Sequence, residues 1–238
     1  AIIDGIMEDD GTAWTLLQTI TGAIDGVSLS LRDAEGRLYV FEGIQNGSNG
    51  KVYRSDDGGG TWAQVGNVGQ AVFRTTEQDG ALYAGSWLSP RIYKSTDRGA
   101  TWVLWKDFFA DHGVGSSSTD KDMFAITWLD SSTVAVLIGN GVPAGLEVWY
   151  STNGGTTWAK NVLPSPHDIR SEGTLIFLGT RLIFGGENGE ILTAETPAGV
   201  WTSRLAAVET DHPQWVFAFV VSAQVAVLMN DKSTRTRT

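Results

Sequence analysis

Apolar residues fall in short runs of strand length, separated by clusters of Gly, Asp, Asn, Ser and Thr. Such runs bounded by turn residues read as β-strands rather than helices. Between residues 26 and 205 they group in fours, labelled A to D. The groups are 27–31, 37–41, 51–54 and 62–65; then 71–75, 81–86, 91–94 and 102–106; then 123–128, 133–138, 147–150 and 158–161; then 174–178, 181–184, 190–193 and 200–204. The A and B runs are nearly continuous in apolar residues, the pattern of strands covered on both faces. The ends hold half a group each. Residues 2–17 supply only C, a turn and D, and residues 216–221 and 224–229 supply only A and B.

The turn between C and D repeats almost word for word. Ser55-Asp56-Asp57-Gly58-Gly59-Gly60-Thr61-Trp62 is followed by Ser95-Thr96-Asp97-Arg98-Gly99-Ala100-Thr101-Trp102 and by Ser151-Thr152-Asn153-Gly154-Gly155-Thr156-Thr157-Trp158. A weaker copy near the start keeps Asp9, Gly11 and Trp14. Another keeps a hydroxyl at Thr193, an acid at Glu195 and Trp201, and is one residue longer on this reading. Steps of 48, 40, 56 and 42 residues between copies match β-propeller blades. The pattern predicts an all-β, five-bladed propeller of four-stranded antiparallel blades, a single domain over 1–238. The blades are 216–229 plus 1–17, 26–66, 70–106, 122–162 and 173–205. N-terminal strands C and D pairing with C-terminal strands A and B close the ring, which removes exposed sheet edges.

These copies resemble the Asp-box, or BNR repeat, of sialidases, of some other glycosidases and of many non-enzymatic propellers. The resemblance spans all five repeats and is strong in three. It implies that each box is the hairpin between strands C and D. The chemistry expected there is local: the Asp or Asn accepts turn N–H groups, Gly takes a conformation closed to other residues, and Thr or Ser adds a bond. The Trp ring packs between sheets, where its truncation would cost roughly 3–5 kcal/mol against about 1 kcal/mol for one turn hydrogen bond. The box has neither the ligand count of a calcium loop nor the Lys of a phosphate loop.

Charge and composition narrow the partners. A hydrophobic content of 42% with ten Trp is enough for a core. The net charge of −10 makes nucleic acid a poor partner. No apolar run approaches the roughly 20 residues of a membrane span, so no membrane insertion is expected. The chain has no Cys, which removes disulfides and thiol chemistry. It begins at Ala1 rather than Met, so something upstream is expected to be missing: a cleaved leader, the rest of a larger parent chain, or residues left out of the sequence. No cofactor or metal is called for, since no two of His112, His167 and His212 have ligand spacing.

Propeller geometry puts the boxes on one rim and the D-to-A and B-to-C connections on the other, where a ligand site is to be sought. Connection 107–122 carries Phe108, Phe109, His112 and Asp122; connection 163–173 carries His167, Asp168, Arg170 and Glu172; connection 205–215 carries Asp211 and Trp215. Asp25 precedes the first A strand, and Trp87 stands in a B-to-C connection. Acids beside aromatics are how sugars are commonly held. The same residues also serve as caps, turn formers and packing groups, and the Phe108-Phe109 pair also reads as a pin for its long loop.

A sialidase-like site, as the resemblance implies it, needs three converging Arg, a Tyr-Glu pair, an Asp acid and a Phe/Tyr-Arg-Ile-Pro signature. Val72-Phe73-Arg74-Thr75 and Pro90-Arg91-Ile92-Tyr93 have those letters in the wrong arrangement, and only Arg170 is well placed. The expectation is therefore a non-catalytic recognition or assembly module that presents its loop rim to a glycan or protein surface, in an extracellular, cell-surface or virion setting. A glycoside hydrolase using Asp25, Asp122 and Asp168 at the channel mouth is the alternative, and a purely structural scaffold or assembly factor the third.

Overall fold

The computed structural model of the chain describes residues 5–9, 14–19, 27–42, 50–86, 89–109, 123–140, 145–164, 174–185, 191–205, 215–221 and 224–230, with backbone alone for 5–9, 14–19, 27–30, 140, 145, 205, 215–221 and 224–230. Every regular element among them is a β-strand. The chain divides into two compact units, Ala1–Ser116 and Ser117–Thr238.

In the first unit, β1 (Gly5–Asp9) and β2 (Trp14–Thr19) form a hairpin. Two four-stranded meanders come next: β3 (Val27–Arg32), β4 (Leu38–Glu42), β5 (Lys51–Ser55) and β6 (Ala63–Asn67), then β7 (Val72–Gln78), β8 (Ala81–Ser86), β9 (Arg91–Ser95) and β10 (Val103–Asp107). The second unit holds two more: β11 (Met123–Trp128), β12 (Val134–Asn140), β13 (Gly145–Ser151) and β14 (Ala159–Val162), then β15 (Thr174–Leu178), β16 (Arg181–Gly185), β17 (Ile191–Ala194) and β18 (Thr202–Leu205). It ends in the two-stranded sheet of β19 (Trp215–Val221) and β20 (Gln224–Asn230). Four antiparallel four-stranded sheets, each in chain order, are consistent with a β-propeller.

The strands fall on the apolar runs, with one systematic shift. Strand D starts after the box Trp, not on it, because the indole N–H bonds back into the turn. Burial falls from β8 to β10: β8 is buried throughout, β9 buries Ile92 and Ser95, and β10 has no fully buried residue. That gradient explains why the B runs are the most continuously apolar. Between the two meanders of the first unit lies a core of Tyr39, Phe41, Val52, Val68, Val72, Leu82 and Ala84. Trp102 packs against it edge-on to Phe41, with ring centroids 5.8 Å apart.

Irregularities recur at fixed places. Strand D bulges at the third residue after the box Trp in three repeats, at Val65, Trp105 and Arg204. β14 has no bulge, so Asn161 takes the register position that Gly66 holds in β6: each pairs with the residue three before its box, Val148 and Val52.

Register also corrects the fifth repeat. Ser55, Ser95 and Ser151 pair with Leu38, Leu82 and Val134, and the residue paired with the corresponding Leu182 is Ala194. The fifth box is therefore Ala194 to Trp201, eight residues like the others, with Thr196 in the Asp place. A backbone bond from Gly199 N–H to Thr196 O at 3.0 Å matches Ala100 to Asp97 and Thr156 to Asn153. Hairpin geometry holds the length while the side chains have drifted, and only the Trp is kept.

Candidate functional site

Three boxes form one hydrogen-bond circuit. Ser55 Oγ donates to Asp57 Oδ1 at 2.7 Å and accepts Gly59 N–H at 2.8 Å. Asp57 accepts Thr61 N–H at 2.8 Å and the Thr61 hydroxyl at 2.7 Å, and Trp62 Nε1 donates to Gly59 O at 2.9 Å. Ser95, Asp97, Gly99, Thr101 and Trp102 repeat every bond. In the next box Asn153 replaces the acid, and its Nδ2 donates to Thr157 Oγ1, reversing one bond. Gly59, Gly99 and Gly155 have φ of +104°, +87° and +88°, the left-handed region that favours glycine. The thirst of these carboxylates for ligands is met within the turn. Thr61 N–H, then the Ser55 and Thr61 hydroxyls, hold Asp57 down at about 2; the Thr101 hydroxyl and N–H, then Ser95, hold Asp97 at about 2. Among the described residues no group of three or more His, Cys, Asp or Glu could hold a metal ion. Gly11 of the first copy lies outside the described residues, and for Asp9 and Trp14 only the backbone is described.

At the opposite end of the sheets, three of the hairpins of strands C and D are closed by a bond that the motif does not announce. Val68, Phe108 and Leu163 N–H donate to Gly50, Pro90 and Leu146 O at 2.9, 3.0 and 3.0 Å. All three donors are buried. Beside this closure a charged residue stands in strand C, four positions before each box Ser. Lys51 pairs with Glu42 at 3.6 Å, Arg91 with Asp107 at 2.9 Å, and Glu147 with Lys160 at 2.8 Å. Glu42 and Glu147 are buried; Trp149 Nε1 also donates to Glu147. Each buried carboxylate is matched by a cation, which suits it to fixing strand ends rather than to proton transfer.

Phe109 meets this rim. Its N–H donates to Asp107 Oδ1 at 2.9 Å, and the Arg91 guanidinium lies 5.2 Å from its ring centroid. Arg91 and Asp107 escape the sequence reading, although the charge four positions before the box Ser in three repeats is a signal for them. Trp215 opens β19 opposite Asn230. Asp25, Trp87, His112, Asp122, Asp168, Arg170, Glu172 and Asp211 lie outside the described residues. Ser86 and Ser89, on either side of 87–88, are buried with their hydroxyls 2.5 Å apart.

No family model matches the chain. It is 25% identical to a xyloglucanase of Hypocrea jecorina over 189 residues, 67% of this chain and 22% of that protein. It is 23% identical to a xyloglucanase of Paenibacillus sp over 204 residues, 70% and 20%. The chain thus spans about a fifth of the length of the curated relatives it matches. Among solved structures it resembles YCF48 bound to D1 peptide, at 13% identity and a TM-score of 0.63 over 93% of this chain and 66% of that one. It also resembles the Hadza microbial sialidase Hz136, at 16% identity and 0.58 over 90% and 53%. The structural likeness speaks for the fold.

Proposed function

We propose that this chain is a recognition segment of a β-propeller whose loop rim binds polysaccharide without cleaving it. The observation that carries the reading is Phe109, an aromatic at the loop rim flanked by the Arg91 guanidinium and the Asp107 carboxylate. A sugar ring stacks on such a face while charged neighbours take its hydroxyls. The xyloglucanase relatives support a β-glucan as the ligand class. A five-bladed ring, with β1–β2 and β19–β20 as the outer and inner halves of one blade, belongs to the same proposal, as does an extracellular or virion setting.

Calorimetric titration with xyloglucan oligosaccharides tests it. Saturable binding, weakened at least tenfold by Phe109→Ala with an unchanged unfolding midpoint, is the expected result. Absence of binding would sink the glycan reading, and a pull-down would then test a protein partner, the class of ligand in the YCF48 complex.

The second reading, a glycosidase, is favoured by the activity named for both curated relatives. It would use Asp25, Asp122 and Asp168. Release of reducing ends from xyloglucan, abolished by Asp168→Asn, would establish it and displace the first.

A further inference from the structure

The box of the fourth sheet contains an Asn-Gly step, Asn153-Gly154. Of all dipeptides this one loses ammonia most readily. The backbone nitrogen of the glycine, once it has given up its proton, attacks the carboxamide carbon, and no glycine side chain hinders the approach. Both residues are exposed, so water and hydroxide reach them. Two sets of bonds oppose the reaction.

The first set holds the carboxamide. Ser151 Oγ and Thr157 N–H each donate to Asn153 Oδ1 at 2.9 Å, and Asn153 Nδ2 donates to Thr157 Oγ1 at 2.8 Å. The second holds the nucleophile. Gly154 N–H donates at 2.8 Å to Ser132 O, in the turn between β11 and β12. Asp130 fixes that turn: its Oδ1 accepts the N–H groups of Ser132 and Thr133 at 2.7 Å and the Ser132 hydroxyl at 2.8 Å. Gly58 and Arg98 hold the same box position as Gly154. Among the described residues neither donates its N–H to a turn carbonyl in this way. Asp57 and Asp97 precede them and have no amide to lose. The tie therefore falls on the box that carries the reactive dipeptide.

We propose that Asn153 is a deamidation site which the fold keeps closed, and which opens when the box hairpin parts from the β11–β12 turn. In the open state a bond forms between Gly154 nitrogen and Asn153 Cγ, ammonia leaves, and water opens the cyclic imide. The net change is amide plus water to carboxylate plus ammonium, with no oxidant or reductant. Opening at one carbonyl leaves an aspartate, the acid that Asp57 and Asp97 supply in their boxes. The Thr157 hydroxyl then turns to donate, as those of Thr61 and Thr101 do. Opening at the other carbonyl lengthens the backbone by one carbon and breaks the turn.

The test incubates the full chain at mildly alkaline pH and follows position 153 by peptide mass mapping, beside a synthetic peptide of residues 148–159. Conversion should be at least about tenfold slower in the folded chain than in the peptide. Asp130→Ala should speed it roughly fivefold, the worth of about one hydrogen bond. Amide exchange gives a second readout that needs no variant: Gly154 N–H should be at least about tenfold better protected than Gly58 N–H. Equal conversion in chain and peptide, or equal protection of Gly154 and Gly58, overturns the proposal. So does a rate indifferent to Asp130→Ala in a variant with an unchanged unfolding midpoint. Where that midpoint shifts, the exchange comparison decides.

Discussion

Gly66 of β6 lies directly against the backbone of Gly99 in the next repeat: a methyl group on Gly66 would sit 2.0 Å from the Gly99 carbonyl oxygen and 2.8 Å from that of Ala100. Neither carbonyl is a flexible side-chain end, so backbone must move to admit a Cβ. Gly66→Ala should therefore cost about 2–3 kcal/mol, at the upper end of overpacking penalties. Gly58, where a Cβ meets nothing within 4 Å but φ is +72°, gives the scale of backbone strain without a clash, roughly 1–2 kcal/mol for alanine, which the close contact at Gly66 should exceed. Urea unfolding of the two alanine variants checks the difference; equal midpoints would remove the close contact from the account.

Asn161 solves the same problem with a side chain. Its amide donates to Pro197 O and Gly199 O. Asn161→Ala should destabilise by about 1–2 kcal/mol, the usual worth of one or two such bonds. The loss should appear in chemical denaturation of the full chain.

Acid should loosen the second and third boxes in a defined window. Asp57 and Asp97 are held at about 2 in the folded chain, and an unfolded Asp titrates near 3.9. A folded value below the unfolded one means that the contribution is complete above about pH 4. It is lost as pH falls towards 2. Thermal unfolding measured from pH 5 to 2 should fall most steeply between 4 and 2, and Asp57→Asn with Asp97→Asn should flatten that slope. An unaltered slope would show that other acids dominate.

The fourth position of the box offers a stabilising change. Gly58 and Gly154 have φ of +72° and +66°, and Arg98 is held there at +61°. A left-handed non-glycine residue costs roughly 1–2 kcal/mol, partly offset by the entropy of an added glycine. Arg98→Gly should raise stability by about 0.5–1 kcal/mol, read from the urea midpoint. Its acceptor role towards Arg54 uses the backbone carbonyl and survives.

Two tryptophans should respond differently to the same replacement. Trp102 Nε1 donates to Gly99 O at 3.0 Å, while the buried Trp201 Nε1 has no partner among the described residues. Trp102→Phe should cost about 1 kcal/mol more than Trp201→Phe, by the loss of one bond. Calorimetric melting of both variants decides it.

The scaffold was legible in the sequence because its information sits in single side chains. Ser55, Asp57, Gly59, Thr61 and Trp62 each make a bond or take a backbone angle that few other residues can. The fifth box misleads for the same reason: Thr193 and Glu195 mimic the motif's hydroxyl and acid one residue early, and only strand register with Leu182 exposes Ala194 as its start. The charges four positions before each box Ser were hidden by changes of sign and partner strand. Lys51 reaches back to Glu42 on strand B, whereas Arg91 and Glu147 reach forward to strand D. Phe109 was readable as a loop aromatic, but its contact with Arg91 depends on how β9 and β10 pair.

The bonds from Val68, Phe108 and Leu163 to the residues opening their hairpins have a wider consequence. They turn the end of each of these outer strands into a fixed post, anchored by a buried side chain and independent of the connection beyond it. Insertions or deletions beyond residues 68, 108 or 163 need not propagate into the sheets. The loop end of each of these sheets can then change in sequence while the box turn at its other end keeps its own hydrogen bonds.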